Sequence, residues 1–303
     1  MSFEVIIPFL KPIKHLLETR TISEIMVNPD GSVWIEEGGK VQHLPDVQFE
    51  DGALQTGLEV IANRFGKKLD ADSPILNLRL PDGSRMAAMI PPVVNPRPLL
   101  TIRMFSTARN FTLADLVGVQ MLTEDQASTL TEAVREGQNI LIAGGTGSGK
   151  STLLGVLADA IPEYERILLI EDTAELHIRK PHIVSTESQV DTHRSQVTFD
   201  DLLKAVLRHR PDRIIVGEVR GPEARTLLDA MNTGHRGTLA TIHASSADES
   251  IRRLANLAIR SSSNLQISVA EEDILRCINL VVYISRNQGR RQVRDVLRVQ
   301  RPV

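Results

Sequence analysis

The sequence predicts an α/β protein, in which a mostly parallel sheet covered by helices follows a smaller α+β region. Three observations carry this. First, an apolar run, Ile140 to Ala143, leads into Gly144-Gly145-Thr146-Gly147-Ser148-Gly149-Lys150-Ser151-Thr152 and then an amphipathic segment, Leu153 to Ile161. That is a strand, a glycine-rich loop and a helix start. Second, β-type runs and helical periods alternate from residue 139 to residue 259. Third, the chain before residue 107 reads as short β-prone runs separated by turn chemistry, with one helical period.

Phe3 to Leu17 sets Leu10, Ile13, Leu16 and Leu17 at roughly helical spacing. That face suits a helix capping the domain or one lying at an interface. Glu24 to Val27 and Ser32 to Glu36 flank Asn28-Pro29-Asp30-Gly31, a turn, and Glu37-Gly38-Gly39-Lys40 is a second turn before Val41 to Leu44. A three-stranded meander follows from this. Leu54, Leu58, Ile61, Ala62 and Phe65 mark a helix. Arg85 to Ile90 and Leu99 to Phe105 are further strands, with prolines 91, 92, 96 and 98 breaking the chain between them.

Residues 1–107 form the expected first domain, 108–120 a linker, and 121–303 the second domain. Thr123 with Gln126 opens a helix that stops at Gly137. Strands are expected at 139–143, 167–171, 183–187, 213–217 and 238–242, and helices at 150–160, 199–208, 222–232 and 247–259. A last helix near 268–277 precedes strands 279–285 and 292–299, joined by a hairpin turn at Asn287-Gln288-Gly289.

With 303 residues and 42% hydrophobic content, two domains with sizeable cores are expected. A net charge of −3 gives no footprint for non-specific DNA binding, and 3% aromatic content argues against a stacking platform for single strands. Cys277 is the only cysteine, so neither a disulfide framework nor a four-cysteine zinc site is available, which suits the cytoplasm. Glu4, Lys11 and Lys14 interrupt the N-terminal apolar residues, which show no signal peptide. Membrane association is expected to be peripheral.

Gly144 to Ser151 matches the phosphate-binding pattern G-x-x-x-x-G-K-[ST] in full. Glycines let successive backbone N–H groups approach phosphate oxygens, and the following helix directs its positive end at the same anion. Lys150 supplies a cation for the β- and γ-phosphates and Ser151 an oxygen for Mg²⁺. ATP and Mg²⁺ are the expected cofactors. Three further stretches surround this motif. Ile167 to Ile170 runs into Glu171, Asp172 and Glu175, which suit water activation or metal-shell support, or equally an acidic loop facing solvent. They reach the loop if their strands neighbour it. Arg213 to Gly217 runs into Glu218, a carboxylate for the Mg²⁺ shell or the attacking water. Arg208, Arg210 and Arg220 are candidates for stabilising phosphate charge or for surface ion pairs, the latter preferred for Arg210. Thr238 to Ile242 ends at His243, where a γ-phosphate sensor would lie.

Taken together, Gly-Gly-Thr-Gly-Ser-Gly-Lys-Ser-Thr, Ile-Glu-Asp-x-x-Glu-Leu, Arg-Pro-Asp with Val-Gly-Glu-Val-Arg-Gly-Pro-Glu-Ala, Thr-Gly-His and Thr-Ile-His-Ala resemble the secretion traffic ATPases. These are the hexameric motors of type II and type IV secretion, conjugation and type IV or Tad pili. The first domain resembles theirs more weakly, through Gly83-Ser84-Arg85 and Thr101-Ile102-Arg103. The resemblance implies an N-terminal α+β domain and a RecA-like ATPase domain. It assigns water activation to Glu175, the Mg²⁺ and water shell to Glu218, and the histidine box to His243. It assigns phosphate contacts across the interdomain cleft to Arg85 and Arg103. It also implies a homohexamer that meets inner-membrane components of a secretion or pilus machine, and acts on a secreted protein or DNA–protein substrate indirectly.

Two departures select a branch. One cysteine cannot supply the tetracysteine module usual in pilus and type II assembly motors. Val219-Arg220-Gly221-Pro222-Glu223-Ala224 stands where retraction motors usually carry Met-Arg-Asp. Both resemble the conjugal-transfer and type IV secretion branch, with a Tad or type II assembly ATPase as the alternative. An enzyme acting directly on nucleic acid, or a silent nucleotide-binding scaffold, are the competing classes.

Overall fold

The computed structural model describes residues 6–19, 21–104, 111–172, 174–176, 178–188, 197–261, 266–287 and 289–300. The chain divides into two compact units, Met1–Arg109 and Asn110–Val303.

The first unit opens with two 3₁₀ turns, Ile7–Phe9 and Lys11–Ile13, and helix α1, Lys14–Leu17. The spacing predicts one continuous helix, and residues 3–5 of it lie outside the described residues. In the rest, Pro8 and Pro12 stand at the first turns, where a ring without an N–H interrupts the helical ladder. The apolar face forms nonetheless: Leu10, Ile13, Leu16 and Leu17 are buried in the unit's own core, as a capping segment requires.

Strands β1 (Ile22–Val27), β2 (Val33–Glu37) and β3 (Lys40–His43) make the expected antiparallel meander. Helix α2 (Ala53–Arg64) follows, then β4 (Ile75–Arg79), β5 (Arg85–Met89) and β6 (Leu99–Arg103). The sheet order is β3-β2-β1-β6-β5-β4. β4 has no counterpart in the sequence expectations. Its five residues alternate, with only Leu76 and Leu78 buried, and its partner β5 lies across the Pro81–Ser84 turn. Leu58 and Ile61 of α2 join Ile25, Val33, Met86 and Ile102 in one core, so one sheet face is covered.

In the second unit, α3 (Leu113–Gly118) lies inside the stretch expected as a linker. A capping box between Thr112 and Asp115 starts it, and Leu116 is buried with Met121 and Leu122 in the second unit's core. Residues 111–120 thus pack as part of that unit, while 105–110 lie outside the described residues. There follow α4 (Glu124–Arg135, with the Thr123–Gln126 box), β7 (Ile140–Gly144), α5 (Lys150–Ala158), β8 (Ile167–Glu171), β9 (Ile183–Glu187), α6 (Phe199–Val206), β10 (Arg213–Val219), α7 (Glu223–Asn232), β11 (Leu239–Ile242), α8 (Ala247–Ala258), α9 (Ile267–Cys277), β12 (Leu280–Asn287) and β13 (Arg290–Arg298). The predicted hairpin joins β12 and β13, although Gln288 lies outside the described residues.

The sheet order is β13-β12-β7-β11-β10-β8-β9, parallel except for β13. Alternate residues of its central strands feed two cores. Leu141, Ala143, Leu168 and Val216 face α6 to α9, whereas Ile140, Ile142, Leu169 and Ile215 face α3 to α5. Coverage on both faces explains the unbroken apolar runs. Among the described residues, no helix is long and apolar enough to cross a membrane.

Candidate nucleotide site

β7 ends at Gly144, where backbone must pass close to backbone. A Cβ there would stand 2.4 Å from the Ile284 carbonyl oxygen and 2.7 Å from Ser148 Oγ. Gly147 and Gly149 hold φ of 68° and 101°, the left-handed region that disfavours side chains. α5 starts at Lys150 without a side-chain cap, so its first N–H groups face the loop. Lys150 is buried, and its Nζ donates to the carbonyl oxygens of Gly144 and Gly145, both at 2.9 Å. Burial lowers its pKa, the charge of Glu218 opposes this, and Arg220 adds to it. Ser148 Oγ is buried without a hydrogen-bond partner among the described residues. A first glycine with no room for a Cβ, a buried hydroxyl and a lysine folded onto its own loop suit a phosphate chain. Gly145, Thr146 and Gly147 are exposed at its mouth, and Ser151 and Thr152 are half-buried on the first turn of α5.

The sheet order decides what surrounds this loop. β7 lies beside β11, and β11 beside β10, so His243 and Glu218 meet at the same carboxyl edge. Glu218 Oε2 accepts from Arg220 Nη2 at 2.8 Å. His243 Nε2 lies 3.0 Å from Glu218 Oε1, inside ion-pair range but without hydrogen-bond geometry. Burial raises the Glu218 pKa, but the hydrogen bond and charge of Arg220, then the charges of His243 and Lys150, outweigh it and hold the carboxyl below its ordinary value. Burial, with help from Lys150, lowers the His243 pKa, which favours the neutral ring.

β8 does not neighbour β7. β11 and β10 intervene, which sets β8 roughly 14 Å away at about 4.8 Å per strand. Glu171 is buried, and its Oε1 accepts from the backbone N–H groups of Glu175 and Leu176 at 2.8 and 3.0 Å. It therefore shapes the loop that follows. Glu175 is exposed on that loop and close enough to act on the charge of Arg220. Asp172 Oδ2 accepts from Arg220 Nη1 at 3.2 Å, so Arg220 joins the acidic loop to Glu218.

Arg208 requires a correction. It follows the end of α6, and α6 feeds the start of β10. In a parallel sheet that start lies at the edge opposite the phosphate loop. The seven residues of β10 span about 20 Å, so Arg208 is out of reach of its own chain's loop. Arg220 lies at the other end of β10, paired with Glu218 and Asp172. A cleft of about 740 Å³ does open at that far edge, but its buried cation, Arg213, is engaged by Glu165.

In the first unit, Arg85 pairs with Arg103 across β5 and β6, Arg79 pairs with Arg85, and Arg103 pairs with Glu24. Three arginines therefore stand abreast on the sheet face away from α2, beside one glutamate. Sequence reasoning missed Arg79 with β4. It also missed Tyr283 and Arg286, which line a cleft of about 530 Å³ with Thr146, Ser148 and His243. The density of arginine after Ser285 was the available signal.

Parallel strands in this order, with a lysine-bearing loop at their carboxyl edge, define a RecA-like phosphate-loop protein. The family described as type II/IV secretion system protein matches residues 10–298, and the chain belongs to it, on the conjugal-transfer and type IV side. The chain is 38% identical over 292 residues to a probable conjugal transfer protein TrbB of Sinorhizobium fredii, covering 94% of this chain and 85% of that one. A type IV secretion system protein VirB11 of Bartonella quintana is 30% identical over 331 residues, covering 96% and 92%. The crystal structure of the VirB11 ATPase from the Brucella suis type IV secretion system, in complex with sulphate, covers 97% of each chain at 26% identity with a TM-score of 0.54.

Proposed function

We propose that this chain is an ATP-hydrolysing motor subunit of a type IV secretion or conjugal-transfer machine. The observation that carries the reading is the convergence of Lys150, Glu218 and His243 at one sheet edge in a chain of that family. Lys150 leaves the two loop carbonyls for the β- and γ-phosphates, and the α5 N-terminus holds the same anion. Ser151 and Glu218 are the groups that would hold Mg²⁺, which when bound neutralises charge on the β- and γ-oxygens. Glu175 orients the attacking water, His243 senses the γ-phosphate as a neutral ring, and Arg220 keeps Glu218 ionised and aimed. Arg85 and Arg103 contribute guanidinium forks to the phosphates, which lysine would not reproduce. Arg208 has no part within one chain.

The working assembly is a homohexamer in the cytoplasm that meets the inner membrane through machine components. Substrate, whether protein or DNA–protein, is moved indirectly. An ATPase assay with and without single-stranded DNA, together with a mass measurement in ATP, tests this. Turnover independent of DNA in a six-subunit particle is expected. A monomer, or turnover that requires DNA, overturns the reading.

A further inference from the structure

β12 pairs in parallel with β7 through Ile284 and Gly144. β7 stops there, but β12 continues to Asn287. Ser285 and Arg286 therefore run alongside the phosphate loop itself. β13 returns antiparallel and sets Arg291 directly opposite Arg286. Arg291 Nε donates to the Gly147 carbonyl oxygen at 3.1 Å. Arg286 Nη1 lies 3.6 Å from where a Cβ of residue 147 would stand, and it lines the same cleft as Ser148 and His243.

An edge strand commonly carries charge to discourage strand addition, and β13 is an edge. That accounts for Arg290 and Arg298, which are exposed on it. It does not account for two guanidiniums set opposite one another at an anion-binding loop. Like charges in directly opposed sheet positions repel. The arrangement is favourable when an anion stands before them. The peptide geometry agrees. With the Gly147 carbonyl turned to Arg291, the trans peptide directs the Ser148 N–H the opposite way, where it makes only a long contact of 3.4 Å to the Gly145 carbonyl oxygen.

We propose that Arg286 binds the terminal phosphates of a nucleoside triphosphate from within the same chain. Arg291 is a positioning residue for the loop itself, holding the Gly147–Ser148 peptide in place. The proposal rests on the ATPase reading of the loop and adds a wall to that site from the far end of the sequence. A diphosphate is shorter by the group that Arg286 meets, so Arg286 discriminates ATP from ADP, whereas Arg291 serves both.

Binding of fluorescent ADP and of a fluorescent non-hydrolysable ATP analogue, each with Mg²⁺, tests this on the full chain. Arg286→Ala is expected to lose about tenfold in affinity for the analogue and less than about threefold for ADP. Arg286→Lys recovers part of the loss, since the charge remains without the fork. Arg291→Ala and Arg291→Lys weaken both nucleotides alike, because lysine lacks the Nε donor, and neither lowers the melting temperature enough to explain it. Arg286→Ala with wild-type affinity for the analogue, or with equal losses for both nucleotides, overturns the proposal. Arg291→Lys with wild-type binding overturns the positioning role. A wild-type chain that binds neither nucleotide overturns the ATPase reading, and this assignment with it.

Discussion

Arg220 is the residue on which the acidic half of the site turns. Its guanidinium reaches Glu218 at 2.8 Å and Asp172 at 3.2 Å. Glu218 is 17% exposed and Arg220 60% exposed. In Arg220→Ala, burial still raises the Glu218 pKa, but the largest opposing influence is gone and only His243 and Lys150 remain. A hydrogen bond to a charged group contributes about 1.5–3 kcal/mol when sheltered. With the arginine largely in water, screening reduces this to ~1 kcal/mol or less. The sign follows from the lowered pKa. Glu218 stabilises the folded chain at pH above its unfolded pKa, and that contribution is lost as pH falls through its folded pKa. Without Arg220 the folded pKa rises, so the loss begins at higher pH. Urea unfolding near neutral pH is expected to show a deficit of about 1 kcal/mol. The acid limb of ATP turnover moves to higher pH, and kcat at neutral pH falls by about tenfold as Glu218 loses its orientation. An unchanged acid limb with wild-type kcat would refute the link between Arg220 and Glu218.

Lys150→Ala should abolish turnover and weaken ATP binding, whereas Glu218→Gln should bind ATP and hydrolyse it ~10²-fold more slowly; near-normal turnover in Glu218→Gln removes it from catalysis. Gly144→Ala forces a Cβ to within 2.4 Å of the Ile284 carbonyl oxygen, so chemical denaturation should show a loss of roughly 1–3 kcal/mol, and an unaltered midpoint would deny the tight β7–β12 approach. Arg103→Ala should lower turnover without lowering the urea midpoint, and wild-type turnover would leave Arg103 a surface arginine.

What the sequence determined by itself is local. The phosphate loop, the Thr123–Gln126 capping box and the alternation from 139 to 259 rest on spacings of a few residues, and each forms as expected. Elements with weak or contradictory local signals did not read through. β4 shows only five alternating residues, Pro8 and Pro12 cut a helical pattern into turns, and α3 is six residues long, too short to show a helical period. Neighbourhood in the sheet was decided only by the tertiary structure. Strand order depends on which faces bury one another, and no local spacing encodes that. The order β12-β7-β11-β10-β8 is what brings His243 and Glu218 to the loop and holds Glu171 away as a scaffold, and the parallel run of β10 leaves Arg208 at the opposite edge. The same order carries Arg286, more than a hundred residues downstream, to the side of Gly147, because β12 outruns the strand it pairs with.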